Sequence, residues 1–218
     1  MSALFVTGTD TGVGKTFVAC ALAAALRTRG RRVAVMKPVE TGVDAEPEDA
    51  VRLRAAAGDT ASLDDICPYR LRAPLAPSIA ARLEGVTIDP AHIVALITRR
   101  TAEADVLLIE GAGGLLVPVT TTATWLDVVM RARVPVLVVG ANRLGTINHC
   151  ALTVSVARAA GIAVGGFVLS QPTPTTDASA SSNAEAIRAL TRVPCWGVIP
   201  HGTVDAAARS LVVSEIPY

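Results

Sequence analysis

A lysine set between a glycine and a threonine, where an apolar run gives way to an alanine-rich one, is suited to holding a polyphosphate together with its metal ion. The stretch is Phe5-Val6-Thr7-Gly8-Thr9-Asp10-Thr11-Gly12-Val13-Gly14-Lys15-Thr16. Backbone N–H groups can surround phosphate oxygens only where side chains are absent, and Gly8, Gly12 and Gly14 provide that room. A helix beginning here adds about half a positive charge at its N-terminus. Lys15 then reaches the β- and γ-phosphates, and the Thr16 hydroxyl holds Mg²⁺. One position departs from the general G-x-x-x-x-G-K-[ST] spacing. Counting back five from Gly14 lands on Thr9, so the first glycine, Gly8, stands one residue early.

Three more charged positions could act beside such a loop. Lys37 follows Arg32-Val33-Ala34-Val35-Met36, and Pro38 ends that run. A strand there delivers Lys37 at its C-terminal end, the edge of a doubly wound sheet at which ligands bind. Glu110 follows Ala104-Asp105-Val106-Leu107-Leu108-Ile109 and precedes Gly111-Ala112-Gly113-Gly114. A buried strand that ends in an acid and then in small residues has the form of a metal- or water-positioning carboxylate. Asp49 lies in Glu46-Pro47-Glu48-Asp49, at the start of a predicted helix closed by Gly58. Carboxylates in a first turn also stabilise the helix dipole on their own account, so Asp49 has two readings.

The remaining elements form the frame. Residues 3–6 predict the first strand and 17–26 the helix behind the loop, closed by Arg27, Arg29 and Gly30. Helices are expected over 46–57, 78–84, 90–104, 124–131, 148–160 and 183–190, and strands over 134–140, 163–169 and 195–199, before a short helical tail. The segment 59–77 reads as irregular and 170–182 as a flexible surface stretch. Arg82, Arg99 and Arg100 read as a solvated face, and the loop residues His149 and His201 show no carboxylate or thiol partner in the sequence. Strands alternating with helices place the chain in the α/β class: a P-loop NTPase-type, doubly wound, mostly parallel sheet with helices on both faces, in one domain over residues 1–218.

Composition narrows the function. Hydrophobic residues make up 51% but aromatics only 3%, so Ala, Val and Leu fill the core, as in a parallel sheet covered on both faces. A net charge of +1 offers no field for nucleic acid or for an anionic membrane. Cys20, Cys67, Cys150 and Cys195 are far apart, which suggests reduced thiols, with neither a zinc site nor a disulfide framework. With no basic leader and no apolar run of about 18 residues, the expectation is a soluble cytoplasmic protein.

Several pieces, taken in order, resemble dethiobiotin synthetase, an ATP-dependent family of biotin biosynthesis. They are Gly8-Thr9-Asp10-Thr11 with Val13-Gly14-Lys15-Thr16, Lys37-Pro38-Val39, Glu110-Gly111-Ala112-Gly113-Gly114, and Leu144-Gly145-Thr146-Ile147-Asn148-His149. The resemblance spans nearly the whole chain. It implies closure of a ureido ring: 7,8-diaminononanoate takes up CO₂ as a carbamate, the carbamate oxygen attacks the γ-phosphate of ATP, and the second amine expels phosphate. It implies Mg²⁺ held by Thr16, Asp49 and Glu110, and a phosphate cradle of Gly12, Val13, Gly14, Lys15, Thr16 and Phe17. Lys37, Lys15 and Thr11 are the implied catalytic residues, the cations bridging two mutually repelling anions. Thr11, Lys37, Thr41, Gly111 and Asn148 are implied at the substrate, with the 145–148 loop contributed across a homodimer interface. The remaining implied nucleotide contacts are Asp49, Glu110, Gly111, Ala112, Gly113, Ser170, Gln171, Ile199, Pro200 and His201.

Two departures from that family stand out. Gly12 occupies a position where other members carry glutamate. Val168-Leu169-Ser170-Gln171-Pro172 falls where the family often has Val-Ala-Asn-Asp, whose asparagine reads adenine. Ser170 has no carboxamide to present a paired donor and acceptor, so adenine selectivity is expected to relax and other nucleoside triphosphates to serve. Rival readings share the fold. A small-molecule kinase would use the same loop, metal and acid, and partitioning-type ATPases carry a signature lysine where this chain has Asp10. Amidotransferase-type cobyrinate synthases need a glutaminase domain that this chain has no room for.

Overall fold

The computed structural model describes residues 2–175 and 177–212. In chain order the elements are β1 (Ser2–Gly8), α1 (Lys15–Arg27), β2 (Val33–Met36), β3 (Val39–Thr41), α2 (Glu48–Ala57), α3 (Leu63–Ile66), β4 (Tyr69–Leu71), α4 (Pro77–Glu84), α5 (Pro90–Glu103), β5 (Val106–Gly114), α6 (Trp125–Ala132), β6 (Val136–Ala141), α7 (Thr146–Ala159), β7 (Val164–Ser170), α8 (Asn183–Thr191), β8 (Cys195–Ile199) and α9 (Val204–Arg209). Six strands make one parallel sheet in the order β2-β5-β1-β6-β7-β8. The chain winds away from β1 in both directions, so the loop leaving β1 sits at a switch point, where such sheets bind ligands.

Strand alternation decides which side chains meet. Leu4 and Val6 of β1, Val33 and Val35 of β2, and Val106 and Leu108 of β5 pack into the core shared with α1, α2 and α9. Phe5, Ala34, Met36, Leu107 and Ile109 point into the opposite core with α5 and α6. Side chains alternate with a period of two, so one further step puts Lys37 and Glu110 on the α1/α2 face. The register pairs Met36 with Ile109, which makes Lys37 and Glu110 the next neighbours.

Three expectations change. Glu110 is not a strand tip: β5 continues to Gly114, which pairs with Gly8 past a register shift. The segment 59–77 is not irregular throughout, because it holds α3 and β4, and β4 pairs in parallel with β3 in a separate two-stranded sheet. Arg100 is not solvated. It continues the buried Ile93-Leu96-Ile97 stripe of α5 and is 3% exposed. Its guanidinium donates to Asp59 and, at 2.5 Å, to Glu103 Oε2, while Asp59 Oδ2 accepts Val35 N at 2.9 Å. Removing one partner of a buried pair leaves an uncompensated charge, so Arg100→Met is expected to lose about 3–5 kcal/mol in urea unfolding, and a second change, Asp59→Asn, to restore part of it.

Candidate active site

The phosphate loop begins where β1 ends. Thr9 N donates to Val139 O at 2.9 Å, and the chain then arches over the C-terminal edge of the sheet into α1. Gly12 and Gly14 are left-handed, with φ of 75° and 84°, and Gly14 is the N-cap of α1. The early glycine has a local reason. A Cβ at Gly8 would stand 2.6 Å from Asp10 O and 3.0 Å from Lys15 Nζ, so position 8 is bare because the lysine folds back over it. Lys15 Nζ donates to Asp10 O at 3.2 Å and is buried. Burial lowers its pKa; Glu110 opposes this and Lys37 adds to it. Such an ammonium gains from a triphosphate, which supplies the negative charge it lacks.

Beneath the loop lies a four-residue charge cluster. Thr16 Oγ1 donates to Glu110 Oε1 at 2.8 Å. Lys37 Nζ donates to the same oxygen at 2.5 Å and to Asp49 Oδ2 at 3.0 Å. Glu110 is 1% exposed, and its Oε2 has no hydrogen-bond partner among the described residues. Burial is the largest single influence on Lys37 and pulls its pKa down, but Glu110 and Asp49 outweigh it and hold the ammonium above its ordinary range. Burial likewise pushes Asp49 up, and Lys37 and the Thr16 hydroxyl overcome that and hold it low. Cys20, one turn along α1, is pushed up to about 12 by burial and by Glu110, which rules out a thiolate nucleophile at neutral pH.

These shifts fix the pH response. Asp49 titrates below its ordinary value of 3.8 in the folded protein, so its contribution is present above that value and lost as pH falls through the folded one. Lys37, raised above 10.5, loses its contribution only on the far alkaline side. Asp49→Asn is therefore expected to flatten the acid limb of the stability profile below about pH 4. Urea midpoints measured from pH 2.5 to 7 check this.

The residues fit a hard divalent cation. Two carboxylates and a hydroxyl form an oxygen-only donor set, and the partnerless Glu110 Oε2 is a buried acceptor in need of a positive charge. Among the described residues no three His, Cys, Asp or Glu converge, so a cation here would share its shell with phosphate and water, as Mg²⁺ does at nucleotide sites.

A cleft of about 690 Å³ opens above the cluster. Of the residues expected at the site, it brings together Thr11, Gly12, Gly14, Lys15, Thr16, Phe17, Lys37, Thr41, Asp49, Glu110, Ala112 and Gly113. Gly111 points the other way, as its Cβ would stand 2.6 Å from the Phe5 ring. Val13 and Gln171 line a second groove of about 400 Å³ with Asn142 and Arg143. Ser170 lies under the loop, its hydroxyl donated to Val13 O. Ile199, Pro200, His201 and Asn148 line neither space. Ile199 O accepts Gln171 N at 2.9 Å, His201 Nδ1 lies 3.1 Å from Pro172 O, and Asn148 is exposed on the first turn of α7. Glu40 and Arg52 also line the main cleft. Sequence reasoning missed both, though a helix whose N-cap is Pro47 signals that its amides need an acceptor from elsewhere.

Fold and loop together define a P-loop nucleotide-binding protein, and a family model described as an AAA domain matches residues 2–206. The fold is similar to that of chloroplast FtsY from Physcomitrella patens, with a TM-score of 0.57 at 19% identity over 99% of this chain and 65% of that one. It is also similar to septum site-determining protein MinD from Pyrococcus horikoshii, solved with Mg-ADP, with a TM-score of 0.58 at 18% identity over 99% and 89%. Within that class the chain belongs to the dethiobiotin synthetase family. The ATP-dependent dethiobiotin synthetase of Anaeromyxobacter dehalogenans strain 2CP-1 is 49% identical over 213 residues, 97% of this chain and 96% of that one. The enzyme of the same name from Bacillus cereus strain 03BB102 is 40% identical over 100% and 91%.

Proposed function

We infer that Lys37, with Lys15, bridges a substrate carbamate and the γ-phosphate of ATP during the ring closure that defines this family. The chain is an ATP-dependent cyclo-ligase of biotin biosynthesis. One amine of 7,8-diaminononanoate adds to CO₂, a carbamate oxygen attacks the γ-phosphorus and ADP leaves. The second amine then attacks the carbonyl carbon, phosphate leaves, and dethiobiotin remains. Two anions must approach each other, so catalysis is chiefly charge neutralisation and positioning. The observation that carries this reading is Lys37: 4% exposed, fixed by two carboxylates, at the floor of the cleft that the phosphate loop overhangs. Thr16, Asp49 and Glu110 would hold Mg²⁺, which would supply positive charge against the polyphosphate. Thr11 and Thr41, which line that cleft, would hold the carbamate and the diamine. The kinase reading is not favoured.

Further features support the finer assignments. A third groove of about 430 Å³ runs from Gly8–Thr11 past Leu116 to Leu152 and Val156, and Leu116 and Leu152 are both 57% exposed. An apolar groove flanked by exposed leucines suits both an alkyl chain and a second copy of the chain, which would bring Asn148 to the substrate of its partner. No helix among the described residues is long and apolar enough to cross a membrane. For the base, the Ser170 hydroxyl is already engaged by the loop. CTP and GTP are therefore expected to compete with ATP within about fivefold, no more than the bottom of the range that one well-placed base contact provides. Competition binding checks this.

Phosphate release from Mg-ATP and bicarbonate, with and without 7,8-diaminononanoate, tests the whole reading. Diamine-dependent release with a cyclic urea seen by mass spectrometry is the expected result. Diamine-independent release, or a stable phosphorylated product, would overturn it.

A further inference from the structure

Helix α2 starts without a side chain of its own to satisfy its first turn. Its N-cap, Pro47, makes no side-chain cap hydrogen bond, although the first N–H groups of any helix lack intrahelical partners. Two of them are met from another element. Glu40, the middle residue of β3, accepts Asp49 N at 2.9 Å through Oε1 and Ala50 N at 3.0 Å through Oε2. Glu40 is 7% exposed and lines the main cleft. Pairing with β4 fixes its position, Val39 standing opposite Tyr69 and Thr41 opposite Leu71.

A Ser, Thr, Asp or Asn at position 47 would cap the helix with little burial. Here a buried carboxylate does so from a strand, and that ties the helix end to a fixed point. The same strand carries Thr41 into the cleft. Downstream of the tie, the Asp49 side chain reaches Lys37 Nζ at 3.0 Å, and Lys37 in turn reaches Glu110.

We propose that Glu40 is the positioning residue of the cation site: by gripping the N–H groups of Asp49 and Ala50 it sets the depth and rotation of the first turn of α2 and aims the Asp49 carboxylate at the cation. The inference rests on the reading of Asp49 as a metal ligand. A carboxylate is required because two N–H groups need two acceptors. Glutamine offers one acceptor and turns an NH₂ toward the other N–H, and aspartate is one methylene too short to reach.

The test uses Mn²⁺ in place of Mg²⁺, its binding followed by electron paramagnetic resonance in the presence of a non-hydrolysable ATP analogue. Wild type, Glu40→Gln, Asp49→Asn and the double variant are compared, with thermal melting of each. Residues that orient a metal ligand change metal affinity by about 10–100-fold, so Glu40→Gln is expected to weaken Mn²⁺ at least about tenfold. Binding of the metal-free analogue should hold within about twofold, which loss of general stability would not predict. In the Asp49→Asn background the second change should cost less than about twofold, because the two residues act as one unit. Wild-type Mn²⁺ affinity in Glu40→Gln, with Asp49→Asn impaired, would overturn the role of Glu40 and leave the reading of Asp49 intact. Equal losses in both backgrounds would overturn it as well. Wild-type affinity in Asp49→Asn would sink the metal-ligand reading and the inference with it. If Glu40→Gln melts below the assay temperature, Glu40→Asp is read against the same outcomes.

Discussion

Lys37→Met is expected to lower kcat for diamine-dependent phosphate release by at least about 10³-fold, roughly 4 kcal/mol of transition-state stabilisation. The ammonium is 4% exposed, and such a charge acts in a setting where water cannot replace it. KM for ATP should change much less, because Lys15, the loop amides and α1 still hold the triphosphate. The variant also leaves Glu110, 1% exposed, without its cation, which is expected to destabilise the metal-free protein by about 3–5 kcal/mol. Mg²⁺ with a nucleotide analogue should then raise the melting temperature of the variant more than that of wild type, since a cation restores what the lysine supplied. Arginine should not rescue, because a planar fork does not fit between two carboxylates set for a compact ammonium. A kcat within tenfold of wild type would remove Lys37 from the chemistry. Loss of stability without loss of rate would leave it a structural ion pair.

That lysine also shows how far the sequence can be read. An apolar run that Pro38 ends gives Lys37 a place at a strand end, and the Gly-Lys-Thr signature marks the loop. Both depend on neighbours in the chain. The meeting of Lys37 with Glu110 depends on a register, Met36 opposite Ile109, between strands some seventy residues apart, which no local pattern encodes. Once the pairing is known, parity alone puts both side chains on the α1/α2 face. The small β3–β4 sheet is illegible for a similar reason. Three-residue strands are too short to show alternation, and the two that pair are separated in the chain by two helices, α2 and α3. Glu40 carries no signal of its own in the sequence, because the N–H groups it accepts lie nine and ten residues downstream. Arg100 was legible and missed. It falls seven residues after Ile93, in step with Leu96 and Ile97, and that spacing puts it on the buried stripe, whereas its neighbour Arg99 is half-exposed and pairs with Asp65. The true end of β5 is hidden because its glycines read as a turn, although Gly114 still pairs with Gly8.

Gly14→Ala should weaken nucleotide binding by at least about 100-fold, or roughly 2.7 kcal/mol. Two penalties add. The residue sits at φ 84°, a left-handed conformation that costs an ordinary residue about 1–2 kcal/mol. Its Cβ would also stand 2.7 Å from Ser170 Oγ and 3.3 Å from Ser170 Cβ. Ser170 cannot give way easily, since it ends a buried central strand and its hydroxyl is donated to Val13 O. The loop must lift instead, and the amides that should converge on phosphate move with it. Gly12→Ala separates the two penalties, for Gly12 has φ 75° with nothing within 4 Å of its Cβ. It should incur only the backbone cost, about tenfold in affinity. Adding Ser170→Gly to Gly14→Ala should recover part of the loss, by removing the atoms against which the new methyl collides. Equal losses in the two single variants, or no recovery in the double one, would show that Ser170 does not brace the loop. Recovery would make Ser170 the floor on which the phosphate cradle rests, and would explain physically why a small hydroxyl residue at this position leaves the base without a reader.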